Sequence, residues 1–245
     1  MVDGAVDSDA AVDMDAGNLL DVNNTIGGTA ITLNADGDVE TSAAVTADGT
    51  NVTITAGNDA TIGGAVDAPA TIRITAGSDL AVNAAIAAND GDNVFLTAAT
   101  GSVTTTDTVE ADNEVTVTAG QNITLGDTVT ADADDVNLTA ATGSIDANAA
   151  VLADQNVIAV AGQNADFSDT VTATNGMIQI DAGGNASAAV LSAVNGNVDV
   201  DSGDSITLND TVNAVDVDLA AETGSVTTSA LITATGNFAA DAGNE

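Results

Sequence analysis

One stretch of the chain decides the fold: residues 52–68 read V-T-I-T-A-G-N-D-A-T-I-G-G-A-V-D-A. Over residues 52–56, apolar residues alternate with two threonines, which is the period-two pattern of a strand with one buried face. After an A-G-N-D turn come two shorter alternating stretches, residues 60–62 and 66–68, which a Gly-Gly pair separates. Three short strands with three corners in about 20 residues are typical of one rung of a parallel β-helix.

This unit recurs from one end of the chain to the other. The first apolar residue of each unit lies 19 to 22 residues after that of the unit before it. These residues are Val12, Ile31, Val52, Ile72, Val94, Val115, Val136, Val157, Ile178, Val198, Val217 and Phe238. Self-similarity at this period indicates a solenoid, whereas an array of immunoglobulin-like sandwiches repeats only after about 100 residues. We therefore predict an all-β fold: a parallel β-helix of about twelve rungs, with three short strands per rung, forming one domain over residues 1–245.

The three corners of the unit have different compositions. The first reads A-G-x-[N/D/S], or is one residue longer, as in residues 98–102 and 140–144. Its glycine is expected to supply the positive φ of a sharp turn. The second corner often reads D-T-V, and the third is the most acidic.

The acidic third corner contains the candidate metal ligands. Stacking places equivalent corners about 5 Å apart, so their carboxylates form a column of like charge. High ionic strength screens such a column, and Ca²⁺ bound between adjacent corners neutralises it, which makes Ca²⁺ the one cofactor the sequence suggests. The alternative is a solvated acidic surface that keeps a long fibre soluble. The candidate ligands are Asp90, Asp92, Asp112, Asp132, Asp134, Asp135 and Asp154.

Composition limits the possible functions. The chain has 37 acidic residues against one basic residue, Arg73, no His and no Cys, and a formal charge of −36. The usual general bases and thiol nucleophiles are missing, so we do not expect an enzyme, although parallel β-helices that process carbohydrates are an alternative. Nucleic acid is excluded as a partner because phosphate binding needs Lys and Arg. No apolar run is long enough to predict a membrane span.

Both ends of the sequence fall inside a rung. Residues 1–6 align with residues 61–66, and residues 242–245 align with the first corner at residues 56–59. Uncapped solenoid ends expose strand edges. We therefore expect the rungs to continue in the same chain, or copies of the chain to associate into a fibre.

The rung pattern resembles the filamentous-haemagglutinin-like repeats of large secreted bacterial surface proteins. The similarity lies in phrases such as N-V-T-I-T-A-G-N-D at residues 51–59 and E-V-T-V-T-A-G-Q-N-I-T-L at residues 114–125. It implies a right-handed β-helix, export, and a role as an adhesin shaft or surface fibre. A glycan or another cell-surface target is a candidate partner. The expected function is a non-catalytic structural segment of an extracellular fibre, sheath or adhesin shaft. The family's Asn-Pro-rich secretion module is not in this sequence, and its acidity is unusual for that family.

A column of outward threonines suggests an alternative function. The alternative to a structural segment is a Ca²⁺-dependent, ice-binding or carbohydrate-binding β-helix module. Regular threonine arrays on a β-helix can order water, but the neighbouring column of this sequence is irregular, and ordinary β-propensity also explains the threonines. The column consists of Thr55, Thr75, Thr97, Thr118 and Thr139.

Overall fold

A computed structural model describes residues 1–229 and 231–243. Within these residues the chain forms a parallel β-solenoid of about twelve rungs and contains no helix. Each strand pairs in parallel with the equivalent strand of the neighbouring rung. The all-β fold, the parallel pairing and the number of rungs predicted from the repeat are therefore confirmed.

The first strand of each rung has five residues, and these strands form one continuous twelve-stranded ladder, which we call the wide sheet. Inward positions 1, 3 and 5 of each strand stack on the same positions of the next, as in the pairing of residues 52–56 with residues 72–76. The strands are β2 Val12–Ala16, β5 Ile31–Ala35, β8 Val52–Ala56, β11 Ile72–Ala76, β14 Val94–Ala98, β17 Val115–Ala119, β20 Val136–Ala140, β23 Val157–Ala161, β25 Ile178–Ala182, β27 Val198–Ser202, β30 Val217–Ala221 and β33 Phe238–Ala242.

The second and third strands of each rung are shorter and form the other two sides. The second-strand side comprises β3 Leu20–Val22, β6 Val39–Thr41, β9 Ala60–Ile62, β12 Leu80–Val82, β15 Val103–Thr105, β18 Ile123–Leu125, β21 Ile145–Ala147, β28 Ile206–Leu208 and β31 Val226–Thr228. The third-strand side comprises β1 Val6–Asp7, β4 Ile26–Gly28, β7 Val45–Ala47, β10 Val66–Ala68, β13 Ile86–Ala88, β16 Val109–Ala111, β19 Val129–Ala131, β22 Val151–Ala153, β29 Val212–Ala214 and β32 Ile232–Ala234.

Two rungs depart from the three-strand pattern. In each of them the second and third strands merge into one continuous strand that belongs to both short sides: β24 Ala165–Ala173 and β26 Ala186–Ala193. The pairing of these two strands shifts register between Phe167 and Thr170. The prediction of three separate strands per rung is therefore wrong for these two rungs, because the second corner is extended there.

The core is a narrow column of aliphatic side chains that runs through all three sides. Val52, Ile54, Ile62 and Val66 are almost completely buried, as the alternation predicts. Thr53, in contrast, is on the outer face. One aromatic residue, Phe167, is fully buried. Stacking of the rungs thus buries an apolar face that no single rung can bury.

The corner glycines are explained by close stacking, and the positive φ expected for them is wrong. Among the described residues, positive φ occurs only at Asp90 (68°) and Gly91 (88°) in one third corner. A Cβ on Gly120, in a first corner, would lie 2.8 Å from the carbonyl oxygen of Ala99 in the preceding rung. Such a contact forces the backbone to shift, so glycine is needed because adjacent corners approach too closely for a side chain.

Candidate functional site

The predicted acidic corners do stack on one another. The backbone amide of Asp132 donates to Ala111 one rung below, and the amide of Asp154 donates in turn to Ala131. Asp112 occupies the equivalent place, since its amide donates to Ala88. The corner column inferred from sequence therefore exists over three rungs, with Asp112, Asp132 and Asp154 directly above one another; the equivalent place below Asp112 is held by Asn89.

Several of these carboxylates already accept hydrogen bonds from the protein. Asp112 Oδ2 accepts from the Gly91 amide at 2.9 Å, and Asp92 Oδ1 accepts from the Thr71 hydroxyl at 2.9 Å. Asp135 Oδ1 accepts from both the backbone and the side-chain amide of Asn156, at 2.8 and 2.9 Å. These bonds engage carboxylate oxygens that a cation would otherwise use.

The remaining contacts of the third corner follow the same pattern. Asp154 accepts from the side-chain amides of Gln155 and Asn175, both at 2.9 Å. In the part of the chain that the structure describes, no three carboxylates converge closely enough to form a metal site. Asp90, Asp132 and Asp134 complete the predicted set, and Ca²⁺ binding by these residues stays a prediction.

A continuous ladder of polar side chains runs along the first corner. From β6 onwards, the residue that precedes each second strand is Asp, Ser or Asn, and its side-chain oxygen accepts a hydrogen bond from the backbone amide of the equivalent residue in the next rung. Nine such bonds of 2.8–3.3 Å follow one another without a break. The residues are Asp38, Asp59, Asp79, Ser102, Asn122, Ser144, Asn164, Asn185, Ser205 and Ser225. The sequence signal for this ladder was the constant N/D/S ending of the first-corner motif, but the hydrogen bonds themselves were not anticipated.

The third corner carries a shorter version of the same ladder. The side-chain oxygen of Asn156 accepts a hydrogen bond from the backbone amide of Met177 at 2.9 Å, and Asp135 accepts one in the same way from the amide of Asn156. A second segment of this ladder begins at Asn197, whose side-chain oxygen accepts a hydrogen bond from the backbone amide of Asp216. The Asp216 carboxylate in turn accepts a hydrogen bond from the backbone amide of Asn237 at 2.6 Å. Corner amides, which have no partner within their own rung, are thus bonded to side chains of the adjacent rung.

The outer face of the wide sheet carries two columns of side chains, from the second and fourth positions of each strand. The predicted threonine column at the fourth position is in register across five strands, from Thr55 to Thr139. In the second-position column, the Arg73 guanidinium lies over the Phe95 ring, 4.2 Å from its centroid. The two columns therefore differ in chemistry, and the outer face does not present a uniform threonine array.

Towards the C-terminal end, the outer face of the wide sheet becomes acidic. Burial raises the pKa of Asp199, and the nearby carboxylates of Asp201, Asp218 and Asp181 raise it further. Burial is also the main cause that raises the pKa of Asp201, followed by repulsion from Asp181, Asp218 and Glu222. The four aspartates lie on three adjacent strands of the ladder, with Asp199 paired to Asp218 and Asp181 paired to Asp201, and Glu222 lies in the corner that follows β30.

Comparison with known proteins gives no relative: no protein-family model, no curated protein and no solved structure matches the chain. Among the described residues there is no helix long and apolar enough to cross a membrane.

Proposed function

We propose that this chain is a non-catalytic structural segment of an extracellular surface fibre, sheath or adhesin shaft, of the filamentous-haemagglutinin-like type that its repeats resemble. The observation that carries the proposal is the unbroken first-corner ladder from Asp38 to Ser225. It adds a side-chain bond between successive rungs to the backbone bonds of the three sides. Such bonds oppose the separation of rungs along the rod, which is the load that a shaft bears.

A rod of this kind lengthens by stacking rungs, because each rung pairs its strand edges with those of the next. We propose that further rungs come from the same polypeptide or from another copy of it.

Immunogold labelling of intact cells of the source organism tests the surface location. Antibodies against the purified chain should decorate the cell exterior or filaments that extend from it. Labelling that appears only after the cells are opened would contradict the proposal. Small-angle scattering of the purified chain should give a rod of roughly 55 Å for each twelve rungs, or a longer one where copies stack.

A further inference from the structure

The outer face of the wide sheet, from β5 to β30, has two ends of opposite character. The strands β5, β8 and β11 present hydroxyl, amide and guanidinium donors and no carboxylate at their outward positions. The strands β25, β27 and β30 present four aspartates. The donors are Thr32, Asn34, Thr53, Thr55, Arg73 and Thr75, and the aspartates are Asp181, Asp199, Asp201 and Asp218.

We propose that two copies of the chain pair through this face, with their rods antiparallel and a two-fold axis parallel to the strands between β17 and β20. The axis places β17 against β20 of the second copy, β14 against β23, β11 against β25, β8 against β27, and β5 against β30. Because the axis runs along the strands, each outward column faces the same column of the second copy. Every contact then occurs twice, as in any two-fold interface.

This arrangement places each of the four aspartates opposite a hydroxyl donor. Threonine hydroxyls donate to carboxylates, so the acidic end of one copy meets hydrogen-bond donors of the other. The facing pairs are Thr32 with Asp218, Thr53 with Asp199, Thr55 with Asp201, and Thr75 with Asp181.

Arg73, the only basic residue of the chain, lies near the acidic cluster of the second copy in this arrangement. Arg73 faces Gln179 of the second copy, next to Asp181 on the same strand and Asp199 on the adjacent strand. Its guanidinium is exposed, and it lies over the Phe95 ring. An arginine with several donors can bind either carboxylate. The pairing therefore gives the acidic cluster the cation that it lacks within one copy.

At the second and fourth strand positions the centre of the face carries no carboxylate, although Glu114, just before β17, lies on the same face and accepts hydrogen bonds from the Thr116 hydroxyl and the Asn137 side-chain amide. Phe95 faces Ile158, and Thr97 faces Val160, which is 37% exposed. At the axis itself Thr118 faces Thr139. The three largest apolar side chains of the outer face are thereby brought together near the middle of the interface, where burial is most complete.

The first corners at the edge of the face also complement one another. A corner that is one residue longer projects further than its neighbours, and each of the three long corners meets a short one. Residues 99–102 meet residues 162–164, residues 141–144 meet residues 120–122, and residues 222–225 meet residues 36–38.

The estimated interface is large enough for a specific dimer. Ten strands of five residues cover about 48 Å by about 17 Å, or roughly 800 Å² per copy and 1,600 Å² in total, which is a standard protein–protein interface. Like charges meet at its margins, where Asp15 faces Asp241 and, at the third-corner edge, Glu114 faces Asp135. These repulsions and the −36 charge of each copy predict pairing that strengthens as salt is added.

The opposite choice of two-fold axis is unfavourable. Parallel rods paired through the same face would set each strand against itself, so Asp199 would face Asp201 of the second copy. Arg73 would then lie several rungs from these carboxylates. Charge therefore selects the antiparallel arrangement.

Cross-linking of single-cysteine variants tests this geometry, since the chain has no cysteine of its own. The probe is a bismaleimide with a two-carbon spacer, added to purified protein in moderate salt, with circular dichroism to check folding. In Thr118→Cys the two thiols lie about one rung apart across the axis, so we expect a covalent dimer. Thr130→Cys is the matched control: it is half-buried and outward in the same rung but on the third-strand side, and it should cross-link roughly tenfold more slowly or not at all.

A second position fixes the direction of the rods. The Thr55 residues of the two copies lie about 34 Å apart in this pairing, so Thr55→Cys should not link to itself but should link to Asp201→Cys in a mixture of the two variants. Self-linking of Thr55→Cys would overturn the antiparallel arrangement, and equal rates for Thr118→Cys and Thr130→Cys would overturn the interface. This inference builds on the proposed structural role, but the test uses purified protein. A negative result here leaves surface labelling unaffected, and negative labelling leaves this result unaffected.

Discussion

The side-chain oxygen of Asn122 accepts a hydrogen bond from the backbone amide of Ser144, one rung further along the rod, at 2.9 Å. Ser144 repeats the arrangement with the amide of Asn164. A polar residue at one corner position thus replaces the partner that a corner amide cannot find in its own rung. The ladder explains why this position alternates among Asp, Asn and Ser, which are short side chains that bond readily to nearby backbone.

Removing one member of the ladder should weaken the rod. We expect Asn122→Ala to lower the free energy of unfolding by about 1 kcal/mol, because the Ser144 amide loses its acceptor and only water replaces it. Urea denaturation measures the change. Asn58→Ala is the control, since this exposed corner asparagine makes no side-chain hydrogen bond among the described residues. Equal losses in the two variants would show that the ladder does not contribute.

A buried hydroxyl should be replaceable with a gain in stability. Thr105 is 1% exposed, and its hydroxyl has no hydrogen-bond partner. In its column it stands between Val82 and Leu125. We expect Thr105→Val to raise the free energy of unfolding by about 1 kcal/mol, because an isosteric methyl group removes an unsatisfied polar atom. The outward Thr104→Val should change the melting temperature little; a loss of stability in Thr105→Val would mean that the hydroxyl has a partner.

In one rung of the core, a small residue on the wide sheet is matched by a large residue on a short side. Ala159 stands between Leu138 and Ile180 in its column, whereas Phe167 stands between Ala147 and Ala188. The large ring therefore compensates for the small residue of the same rung.

A double-mutant cycle checks this compensation. Phe167→Ala should cost about 3–5 kcal/mol through its cavity, and Ala159→Leu should cost about 1–3 kcal/mol through overpacking. The double variant should be more stable than the sum of the two losses predicts. Phe167→Ala combined with Leu33→Ala, six rungs away, is the control cycle and should be additive. Additivity in both cycles would contradict the exchange of volume.

The acidic end of the wide sheet should make stability depend on pH. Because the pKa of Asp199 is raised on folding, the folded state binds more protons than the unfolded state between the ordinary value of 3.8 and the raised one. The contribution of the Asp199 carboxyl group to the free energy of unfolding therefore falls as pH rises through that window. We expect Asp199→Asn to reduce this pH dependence and to raise the melting temperature at neutral pH.

Asp67→Asn is the control for the lost charge. It removes the same charge from a position whose ladder neighbours, Thr46 and Ala87, are neutral. A pH profile that Asp199→Asn leaves unchanged, or that both variants change alike, would refute the effect of the cluster.

Ca²⁺ binding at the third corner predicts a difference between two salts. If the stacked corners bind Ca²⁺, CaCl₂ should raise the melting temperature more than NaCl of equal ionic strength, and EGTA should reverse the difference. The double variant Asp132→Asn/Asp134→Asn should lose this difference, whereas Asp13→Asn/Asp15→Asn on the wide sheet should keep it. Identical melting temperatures in the two salts would contradict Ca²⁺ binding and would show that salt acts only by screening the acidic column.

The sequence by itself determined the rung, its three corners and the inward positions. The alternation around Ile54 is a local property, because a strand places successive side chains on opposite faces whatever lies above or below it. The stacking of Asp112, Asp132 and Asp154 also followed from the repeat alone. The repeat could not show that Gly120 serves close backbone approach rather than positive φ.

The tertiary structure decided which residues of different rungs meet. Vertical neighbours lie about 20 residues apart, and corners of unequal length change that distance from rung to rung, so the register must be known before partners can be named. Only then can Asn122 be recognised as the acceptor of the Ser144 amide, and only then do Arg73 and the aspartates from Asp181 to Asp218 fall at opposite ends of one face. Local alternation fixes which way a side chain points, but its partner depends on the stacking of the whole solenoid.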